Sequence, residues 1–413
     1  MKILLATSKV SLTSGGIASY NYELLRILGK RNQLFLITDS DEHNIPGYEK
    51  TLSLHGIDIH SFNECKKLVE SINADEFDLI INSRSSLMPI IAPFVNAPVV
   101  SVAHYVNGFQ ADNAGYNSEY QSSIIALSNY GKQYIDNKFS IADKEKVKVV
   151  YNFVADSTSA FNEKKVKREV PVIVFPGGVS RHKGFDLVML AVYRLMKENL
   201  RFKFYWLGAE ALPVNQLSLF NFHYIHQFFK PDDRLVITGQ IPRAEAEKII
   251  GDANIFLLPS RGEGCPMTLL EAMREGCIPV ISDAKHGSLE LIRMLGCGDI
   301  VKKCNGYTIY KHLKQILEHI DDYRNCYTKT YEFSKKNLSQ KVWEEQMNQI
   351  IILSSKNKKM VEQFTRKSFV KSRDGYLKLY KKDRRKIQIE GLRIRLKLEI
   401  CYLLNRIHLL SRL

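Results

Sequence analysis

The sequence predicts an α/β protein with two parallel-sheet domains and a basic C-terminal extension. Short apolar runs alternate with amphipathic runs in two successive blocks, a pattern typical of a parallel sheet covered by helices on both faces. A polar, charged stretch at 157–169 separates the blocks and is interpreted as a linker, while most of the net charge of +15 lies beyond them. We therefore expect domains at 1–160 and 165–330, a helical segment at 331–354 and a basic amphipathic tail at 355–413.

The first domain is predicted from six apolar segments and the amphipathic segments between them. The expected helices span 20–28, 68–72 and 130–137, and the expected strands span 2–6, 34–38, 78–82, 98–103, 124–127 and 147–151. Ligands of such sheets bind at the carboxyl ends of the strands. Two features lie there: Gly15 and Gly16 after the first strand, and His104 after the fourth. The glycines allow a phosphate to approach the backbone, or they form a tight turn. His104 is a candidate ligand-binding side chain, or a structural histidine.

The second domain continues the alternation. Strands are expected at 172–175, 202–207, 235–238, 255–258 and 277–281. Helices are expected at 185–197, 288–295, 307–320 and 338–353. A further helix is expected to begin at Pro266 and to stop at Gly276, because proline suits the first helical position and glycine the position after the end.

Two carboxylates eight residues apart approach one predicted helix N-terminus in this domain. Glu263 precedes the helix, and Glu271 lies a little over one turn inside it. Free backbone amides at such an end attract anions. The segment 265–268 is therefore predicted to hold a phosphate while the carboxylates accept bonds from sugar hydroxyls. The alternative is that Glu271 complements the helix dipole and Glu263 is a solvated loop acid.

A glycine-rich loop with basic residues follows the first strand of the second domain. It contains Gly177, Gly178, Arg181 and Lys183, and it leads into a helix. Backbone amides and a lysine at this position suit a pyrophosphate. Arg181 is either a second phosphate-binding cation or a solvated surface charge.

The amino-acid composition and the cysteine spacing favour a globular protein of a reducing compartment. With 45% hydrophobic and 25% charged residues over 413 positions, the chain can build two sizeable cores. No apolar run approaches the ~18–20 residues that span a bilayer, and the short apolar start is expected to be a strand rather than a signal peptide. The seven cysteines are scattered and never spaced as Cys-x-x-Cys. This spacing favours a reducing compartment, such as the cytoplasm, without disulfides or a zinc site.

The basic charge belongs to the tail rather than to the body. Residues 355–413 contain 18 of the 59 Lys and Arg but 5 of the 44 Asp and Glu. An apolar face also recurs there at helical spacing, which favours a helix over a strand; it comprises Leu392, Leu396, Ile400, Leu403, Ile407 and Leu410. Such a segment can lie on an anionic membrane. Binding of a partner, or packing on the body, is equally compatible, whereas nucleic-acid binding is disfavoured because no recognition module accompanies the tail.

The string PSRGEGCPMTLLEAMREGCIPVIS at 259–282 resembles the signature of retaining glycosyltransferases of the GT-B fold. That fold has two Rossmann-like domains facing a cleft, with a C-terminal helix that crosses back to the first domain, here 331–354. The resemblance implies that Glu271 binds ribose hydroxyls, that Glu263 and His104 contact the donor sugar, and that Lys183 binds phosphate. Gly239 follows a strand where relatives hold the nucleotide base. The residues implied to bind the donor are Gly15, Gly16, Arg181, Gly239, Gly264, Cys265, Pro266, Met267, Thr268 and Glu271.

Two positions depart from the family pattern. Cys265 stands where phenylalanine is commoner, which can alter contacts to the sugar. Gly178 stands where the family usually has an arginine, and Arg181 is the candidate replacement from the same loop.

The resemblance implies transfer of a hexose-type sugar, with retention of configuration, from a UDP-, GDP- or ADP-sugar to a glycan or glycolipid. No Asp-x-Asp motif accompanies the donor motif, so we expect no cofactor and no metal. The basic tail suits an enzyme of polysaccharide or lipopolysaccharide synthesis, bound peripherally at the cytoplasmic face of a membrane.

Two other function classes account for parts of the sequence. One is an NAD-type oxidoreductase, since Gly177 and Gly178 precede a helix and Glu210 follows the next strand. The fingerprint G-x-G-x-x-G is absent, and this class leaves Glu263 and Glu271 unexplained. The other is a non-catalytic binding protein that acts through the tail.

Overall fold

The computed structural model confirms an α/β protein with two parallel sheets. It describes residues 1–11, 15–38, 48–53, 57–155, 161–178, 180, 182–208, 229, 232–357 and 359–406. Two units are distinguished. Unit 1 comprises Met1–Phe153, Glu263–Pro266 and Gln340–Asp383, and unit 2 comprises the described residues of Val154–Gly262, Met267–Ser339 and Arg384–Leu413.

Unit 1 is built on a seven-stranded parallel sheet in the order β3-β2-β1-β4-β5-β6-β7. The six predicted strands are confirmed within one or two residues, and β3 is a strand that the sequence pattern did not indicate. The strands are β1 (Lys2–Thr7), β2 (Gln33–Thr38), β3 (Lys50–Ser53), β4 (Leu79–Ser83), β5 (Val99–Ala103), β6 (Ser123–Ala126) and β7 (Val147–Val149).

Helices cover this sheet. Their apolar residues, such as Leu24 and Ile72, are buried against it. The second helix is longer than predicted because Ser61 caps its N-terminus, accepting a bond from the Glu64 amide. The helices are α1 (Gly16–Leu28), α2 (Phe62–Ala74), α3 (Met88–Ile91), α4 (Phe109–Gly115) and α5 (Asn129–Lys138), with 3-10 turns at Ala92–Phe94 and Ser118–Tyr120.

Unit 2 contains a six-stranded parallel sheet in the order β10-β9-β8-β11-β12-β13. All five predicted strands are present, and β13 was not predicted. The strands are β8 (Val172–Phe175), β9 (Lys203–Leu207), β10 (Leu235–Gly239), β11 (Ile255–Leu258), β12 (Ile278–Ser282) and β13 (Asp299–Val301).

The helices of unit 2 pack a second core around Trp206, Phe204 and Leu313. The helix predicted from Pro266 begins one residue later, and Gly276 follows its end at a positive φ of 71°. The helices are α6 (Glu163–Val166), α7 (Phe185–Leu195), α8 (Arg243–Asp252), α9 (Met267–Arg274), α10 (Gly287–Leu295), α11 (Gly306–Glu318) and α12 (Arg324–Asn337), with a 3-10 turn at Ile320–Tyr323.

The linker prediction for 157–169 is wrong for its second half. Residues Glu163–Val166 form α6, and the Lys165 side chain is fully buried. Its ammonium group donates to the carbonyl oxygens of Gly251, at 3.3 Å, and Glu275. A charged residue that looks solvent-exposed in sequence therefore ties this segment to unit 2. Residues 156–160 lie outside the described chain.

The C-terminal region contains two helices. Helix α13 (Gln340–Ser355) is in unit 1, where Trp343 packs against Phe153 with ring centroids 4.5 Å apart. Helix α14 (Arg366–Arg406) confirms the helical interpretation of the tail up to residue 406. Ile407 and Leu410, on the predicted apolar face, lie outside the described residues.

The first half of the tail is an integral part of unit 1. Phe369 and Tyr376 lie about two turns apart on the same face of α14, and they are 0% and 2% exposed. Asn113 donates to the Tyr376 hydroxyl at 2.7 Å, and the Ser372 hydroxyl donates to the Ile90 carbonyl at 2.7 Å. Of the roles left open by the sequence, the structure shows packing on the body for 359–383.

No helix in the described ranges combines the length and the apolar character needed to cross a membrane.

Candidate functional site

A polar cluster lies at the carboxyl edge of the unit 1 sheet. Thr7, Ser83 and the residue before His104 end the neighbouring strands β1, β4 and β5. The His104 Nε2 atom lies 2.8 Å from the Ser83 hydroxyl, which in turn donates to the Asn21 side chain of α1. The Asn21 amide nitrogen donates to Thr7 Oγ1 at 2.6 Å. Parallel topology thus brings together side chains that are far apart in sequence.

His104 is buried and uncharged. Its side chain is 8% exposed and packs edge-on against the Tyr20 ring, with centroids 4.9 Å apart. Burial lowers the pKa of His104 to about 3, and the positive charge of Arg84 adds to this effect. At neutral pH the imidazole therefore offers one N–H donor and one nitrogen acceptor, and it carries no charge.

The segment Glu263–Pro266 packs beside His104 in unit 1. A Cβ atom on Gly264 would lie 2.3 Å from the His104 carbonyl oxygen, so only glycine fits there. Asn152 donates to the Cys265 carbonyl at 2.6 Å and fixes the next residue. Glu263 is 7% exposed and Cys265 is 3% exposed. The structure therefore places Glu263, Gly264 and Cys265 near His104 in unit 1. Glu263 and His104 are the two residues predicted to contact the donor sugar.

The Gly-Gly loop of unit 1 leaves open space for a ligand. Gly15 precedes α1 at a φ of 101°, which favours glycine, and Gly16 is the first helical residue. A Cβ atom at either position would meet no atom within 4 Å in the described chain. No neighbouring packing explains the absence of a side chain at Gly16. Ser14 of the same loop is outside the described residues.

In unit 2 the loops after the neighbouring strands β8 and β11 are joined. The Arg261 amide donates to the His182 carbonyl at 2.7 Å, and the Arg261 guanidinium makes two bonds of 2.8 Å to Asp186. Gly184 has a φ of 81°, and a Cβ atom there would lie 2.5 Å from the Pro259 carbonyl oxygen. These contacts hold the loop that contains the half-buried Lys183 against the loop of the motif at 259–282.

Helix α9 carries the second motif carboxylate. Glu271 is 8% exposed, and its Oε1 atom accepts a bond of 3.3 Å from Arg243 of α8. Burial raises the pKa of the Glu271 carboxyl, and Arg243 opposes the rise. At the start of the helix, Met267 and Thr268 are half-buried. The Thr268 hydroxyl oxygen is buried without a hydrogen-bond partner in the described part of the chain, which makes it available to a ligand.

Gly239 closes the row of loops at the carboxyl edge of the unit 2 sheet. Its carbonyl accepts from the Gly208 amide at 3.0 Å, and the Gly178 amide donates to the Leu207 carbonyl at 2.8 Å. The loops after β8, β9 and β10 are thus linked through their backbones. Gly239 has a φ of 65°, so its conformation suits the glycine found there.

The structure does not test Arg181 but does explain one glycine of the glycine-rich loop. Arg181 lies outside the described residues. Glu210, named for the oxidoreductase alternative, lies outside them as well. A Cβ atom on Gly177 would lie 1.9 Å from the Phe175 ring, so packing explains this glycine and a dinucleotide is not needed to explain it.

Sequence reasoning missed Asn152, Arg261, Asp186 and Arg243 as residues that shape these loops. Arg261 lies within the motif at 259–282, and it had a local signal, since a charged side chain in a loop of turn residues requires an anchor. The other three form contacts across 28 to 113 residues of sequence, which no local pattern reveals.

Chemically, the two units supply different groups. Unit 1 offers a neutral imidazole, a buried carboxyl and open backbone at α1. Unit 2 offers a lysine, a buried carboxyl and the N-terminal region of α9. Within the described residues, no group of three or more His, Cys, Asp and Glu side chains could hold a metal ion.

Comparison with known families gives a match in the middle of the chain, over less than half of its length. Residues 156–333 match the family model described as glycosyl transferases group 1. This range contains Lys183, Gly239, Glu263 and Glu271 of the predicted site.

Curated relatives match over part of their length. The glycogen synthase of Streptococcus sanguinis is 28% identical over 143 residues, which are 35% of this chain and 26% of the relative. Glycogen synthase 2 of Nitrosococcus oceani is 32% identical over 114 residues, which are 27% and 21%. The chain spans about a quarter of the length of these relatives.

Solved structures match over both units. Anabaena HepE in complex with UDP-glucose has a TM-score of 0.69 at 16% identity, covering 85% of this chain and 99% of that one. A glycosyltransferase from Rickettsia africae gives 0.67 at 18%, covering 86% and 99%. The lipopolysaccharide outer core galactosyltransferase WaaB gives 0.62 at 14%, covering 85% and 99%. These likenesses show the fold.

Proposed function

We propose that the chain is a member of the glycosyl transferases group 1 family, whose model matches residues 156–333, and that it transfers a hexose-type sugar from a nucleoside-diphosphate sugar to an acceptor, with retention of configuration. The GT-B fold supports this proposal. The observation that carries the proposal is the family match over 156–333, which coincides with the linked loops of unit 2. Anabaena HepE was solved with UDP-glucose, which makes a UDP-sugar the first donor to test, before GDP- and ADP-sugars.

Unit 2 would hold the nucleoside diphosphate. Glu271 is buried beside the orphaned Thr268 hydroxyl, a pair suited to ribose hydroxyls and phosphate oxygens. Lys183 and the amides at the start of α9 would stabilise the charge that develops on the leaving diphosphate. The raised pKa of Glu271 is consistent with a carboxyl that gains hydrogen-bond donors when a ligand binds.

Glu263 and His104 would hold the transferred sugar. Gly264 brings the peptide of Glu263 against the His104 backbone, so both side chains would reach one ligand. A neutral imidazole suits this role because it accepts or donates a hydrogen bond to a hydroxyl without introducing charge. The proposed reaction needs no metal, in line with the absence of Asp-x-Asp beside the donor motif, and undiminished turnover in EDTA would support that point.

A glycan or lipid-linked acceptor in cell-surface polysaccharide synthesis is the proposed context. WaaB, a fold relative, is described as a lipopolysaccharide galactosyltransferase. We further propose peripheral attachment to an anionic membrane at the cytoplasmic face. The support is the outward face of α14, where exposed basic residues lie away from the buried Phe369 and Tyr376; these include Lys367, Lys371, Lys378, Lys381, Lys382 and Arg385.

The transfer proposal is tested by product analysis. Purified enzyme is incubated with each donor and a panel of glycan and glycolipid acceptors, and the anomeric configuration of the product is read by NMR. Glu263→Ala and Glu271→Ala should each reduce turnover by at least 100-fold, roughly the cost of losing one preorganised interaction. Glu332→Ala, an exposed glutamate on α12, is the matched control. Product with inverted configuration, or full activity in Glu263→Ala, would contradict the proposal.

Membrane attachment is tested by sedimentation with vesicles. Replacing Lys371, Lys378 and Lys382 with glutamate should abolish binding to phosphatidylglycerol vesicles, because each cation near an anionic surface contributes about 1 kcal/mol. Charge reversal at Lys335 and Lys336 on α12, both exposed, should leave binding unchanged. Equal binding to neutral vesicles, or equal loss in both variants, would refute a specific role for α14.

A further inference from the structure

We propose that Asn21 and Ser83 hold His104 in the tautomer with its proton on Nε2, so that Nδ1 is left to accept a hydrogen bond from a sugar hydroxyl. Asn21 and Ser83 are then positioning residues, since they act through His104. The inference rests on the proposed function for the identity of the ligand. The tautomer itself follows from the hydrogen bonds of unit 1.

The orientation of the Asn21 amide is fixed first. Its Nδ2 atom donates to the Lys9 carbonyl at 3.0 Å and to Thr7 Oγ1 at 2.6 Å. A backbone carbonyl can only accept, so the nitrogen must face Lys9. The amide oxygen therefore faces Ser83, and it can only accept in turn.

The direction of the next bond follows. The Ser83 hydroxyl has one proton, and it donates that proton to Asn21 Oδ1. The Ser83 oxygen can then act toward His104 only as an acceptor. The contact of 2.8 Å between Ser83 Oγ and His104 Nε2 is consequently a bond donated by the ring N–H.

The ring has one remaining nitrogen. His104 is buried and neutral, so a proton on Nε2 leaves Nδ1 with a free lone pair. The edge-on Tyr20 ring limits rotation of the imidazole. In the described part of the chain, Nε2 is the ring nitrogen with a hydrogen-bond partner. His104 would therefore distinguish a hydroxyl, which can donate to Nδ1, from a deoxy or fluoro position, which cannot.

The tautomer is measured directly by NMR of the full-length protein labelled with ¹⁵N-histidine, with His104→Gln to assign the signals. We expect the protonated ring nitrogen of His104 to be Nε2 in the wild type. Ser83→Ala and Asn21→Leu should shift the population toward the Nδ1–H form. Ser101→Ala removes another buried hydroxyl from the same sheet and should not change the tautomer. A wild-type Nδ1–H tautomer, or no response in Ser83→Ala, would overturn the inference.

Kinetics supply the second readout. Ser83→Ala should reduce kcat/KM for the donor by at least tenfold, and the loss should shrink for a donor that lacks the hydroxyl bound by Nδ1. If every deoxy donor shows the same tenfold loss, the acceptor role of Nδ1 is wrong. Failure of the proposed function is distinguishable, since the wild type would then turn over no nucleotide sugar while the NMR result stands by itself.

A different observation points to a modification site in unit 2. Cys297 lies between α10 and β13, and Cys326 lies in the first turn of α12. Their Sγ atoms are 2.7 Å apart, closer than two unbonded sulfur atoms normally approach, so an S–S bond of ~2.05 Å requires a further approach of less than about 1 Å. The Thr330 hydroxyl lies 3.7 Å from both thiols. The geometry points to a reversible disulfide between Cys297 and Cys326, formed with a peroxide as oxidant.

The chemistry of the step is balanced. The Cys297 thiolate attacks a peroxide oxygen, which gives a sulfenic acid and releases water or an alcohol. The Cys326 thiol then attacks the oxidised sulfur, forms the S–S bond and releases water. A hydrogen bond from the Cys326 thiol lowers the pKa of Cys297, and Lys329 contributes; a lower thiol pKa favours the thiolate, which is the form that attacks peroxide. Cys297 is half-buried, while Cys65, Cys265 and Cys277 are buried.

The disulfide would join the loop before β13, which contains Cys297, to helix α12. Helix α12 packs on α9, the helix that carries Glu271. Full-length protein is treated with hydrogen peroxide, alkylated under denaturing conditions and analysed by mass spectrometry. We expect a Cys297–Cys326 peptide that dithiothreitol reverses, lost in Cys297→Ser and retained in Cys304→Ser. Over-oxidation of Cys297 without this cross-link, or cross-links scrambled among other cysteines, would overturn the site.

Discussion

Gly264→Ala perturbs the segment that carries the proposed sugar-binding carboxyl. The added Cβ atom would lie 2.3 Å from the His104 carbonyl oxygen and 2.9 Å from its carbon, and real Cβ contacts essentially never fall below 3.0 Å. The segment or strand β5 must therefore move by at least 0.7 Å at the oxygen contact. The neighbours are backbone atoms, which cannot swing aside as a flexible side chain does. A misplacement of about 1 Å at a reacting centre costs about 100-fold in rate.

The assay is sugar transfer with the donor that gives the highest wild-type turnover, run beside thermal unfolding. Gly264→Ala should lose roughly 100-fold in kcat/KM. Gly251→Ala is the matched control, because its Cβ atom would be 3.5 Å from the Glu275 side chain, an ordinary contact. In a helix this change stabilises by about 0.5–1 kcal/mol. Activity within twofold of wild type in Gly264→Ala, with an unchanged Tm, would refute the reasoning.

Three further predictions concern stability. Asp186→Asn removes the charge from a buried carboxylate bonded twice to Arg261 and should lower the free energy of unfolding in urea by about 2 kcal/mol, whereas Asp321→Asn, in an exposed pair, should cost under about 0.5 kcal/mol; equal effects would contradict the account. Gly375→Ala places a Cβ atom 2.1 Å from a tyrosine hydroxyl and should lower Tm and expose the tail to limited proteolysis; an unchanged digestion pattern would show that 359–383 does not depend on this packing. Burial lowers the pKa of Lys359 to about 7; because the unfolded chain binds more protons above that pH, stability should rise from pH 7 toward pH 9 relative to Lys359→Met, and parallel pH profiles of the two proteins would exclude this linkage.

The sheets could be predicted because their strands are short, apolar and separated by turn residues. The segment 255–258 was identified to the residue, since Asn254 and Pro259 bound an uninterrupted apolar run. β3 was not predicted because three of its four residues, Lys50–Ser53, have polar side chains. Helix α12 was missed because most of its 14 residues are polar and few are buried.

Packing between distant segments could not be read locally. Lys165 looks like a linker lysine in sequence, yet it is buried because carbonyl groups from 251 and 275 surround its ammonium group. Phe369 and Tyr376 look like aromatic residues of a basic tail until the tertiary structure supplies aromatic neighbours such as Phe62 and Phe109. In both cases the determinant is a contact across more than 80 residues.

The candidate site divides in the same way. Glu263, Glu271 and His104 were identified from a motif and from strand ends. The residues whose hydrogen bonds hold these side chains and their loops in place were not identified. The bond between Asn21 and Ser83 spans 62 residues of sequence, and the bond between Asn152 and Cys265 spans 113. The hydrogen-bond order that determines the His104 tautomer exists only in three dimensions. The placement of Arg181 stays a prediction.

The most direct test of donor recognition is calorimetric or thermal-shift titration of the full-length protein with UDP, GDP, ADP, their sugars and NAD. We expect selective binding of one nucleoside diphosphate. At a concentration 100-fold above its Kd, such a ligand adds about 2.7 kcal/mol of stability, and Glu271→Ala should abolish the effect. Binding of NAD alone, or nucleotide binding that Glu271→Ala leaves unchanged, would contradict the proposed donor site.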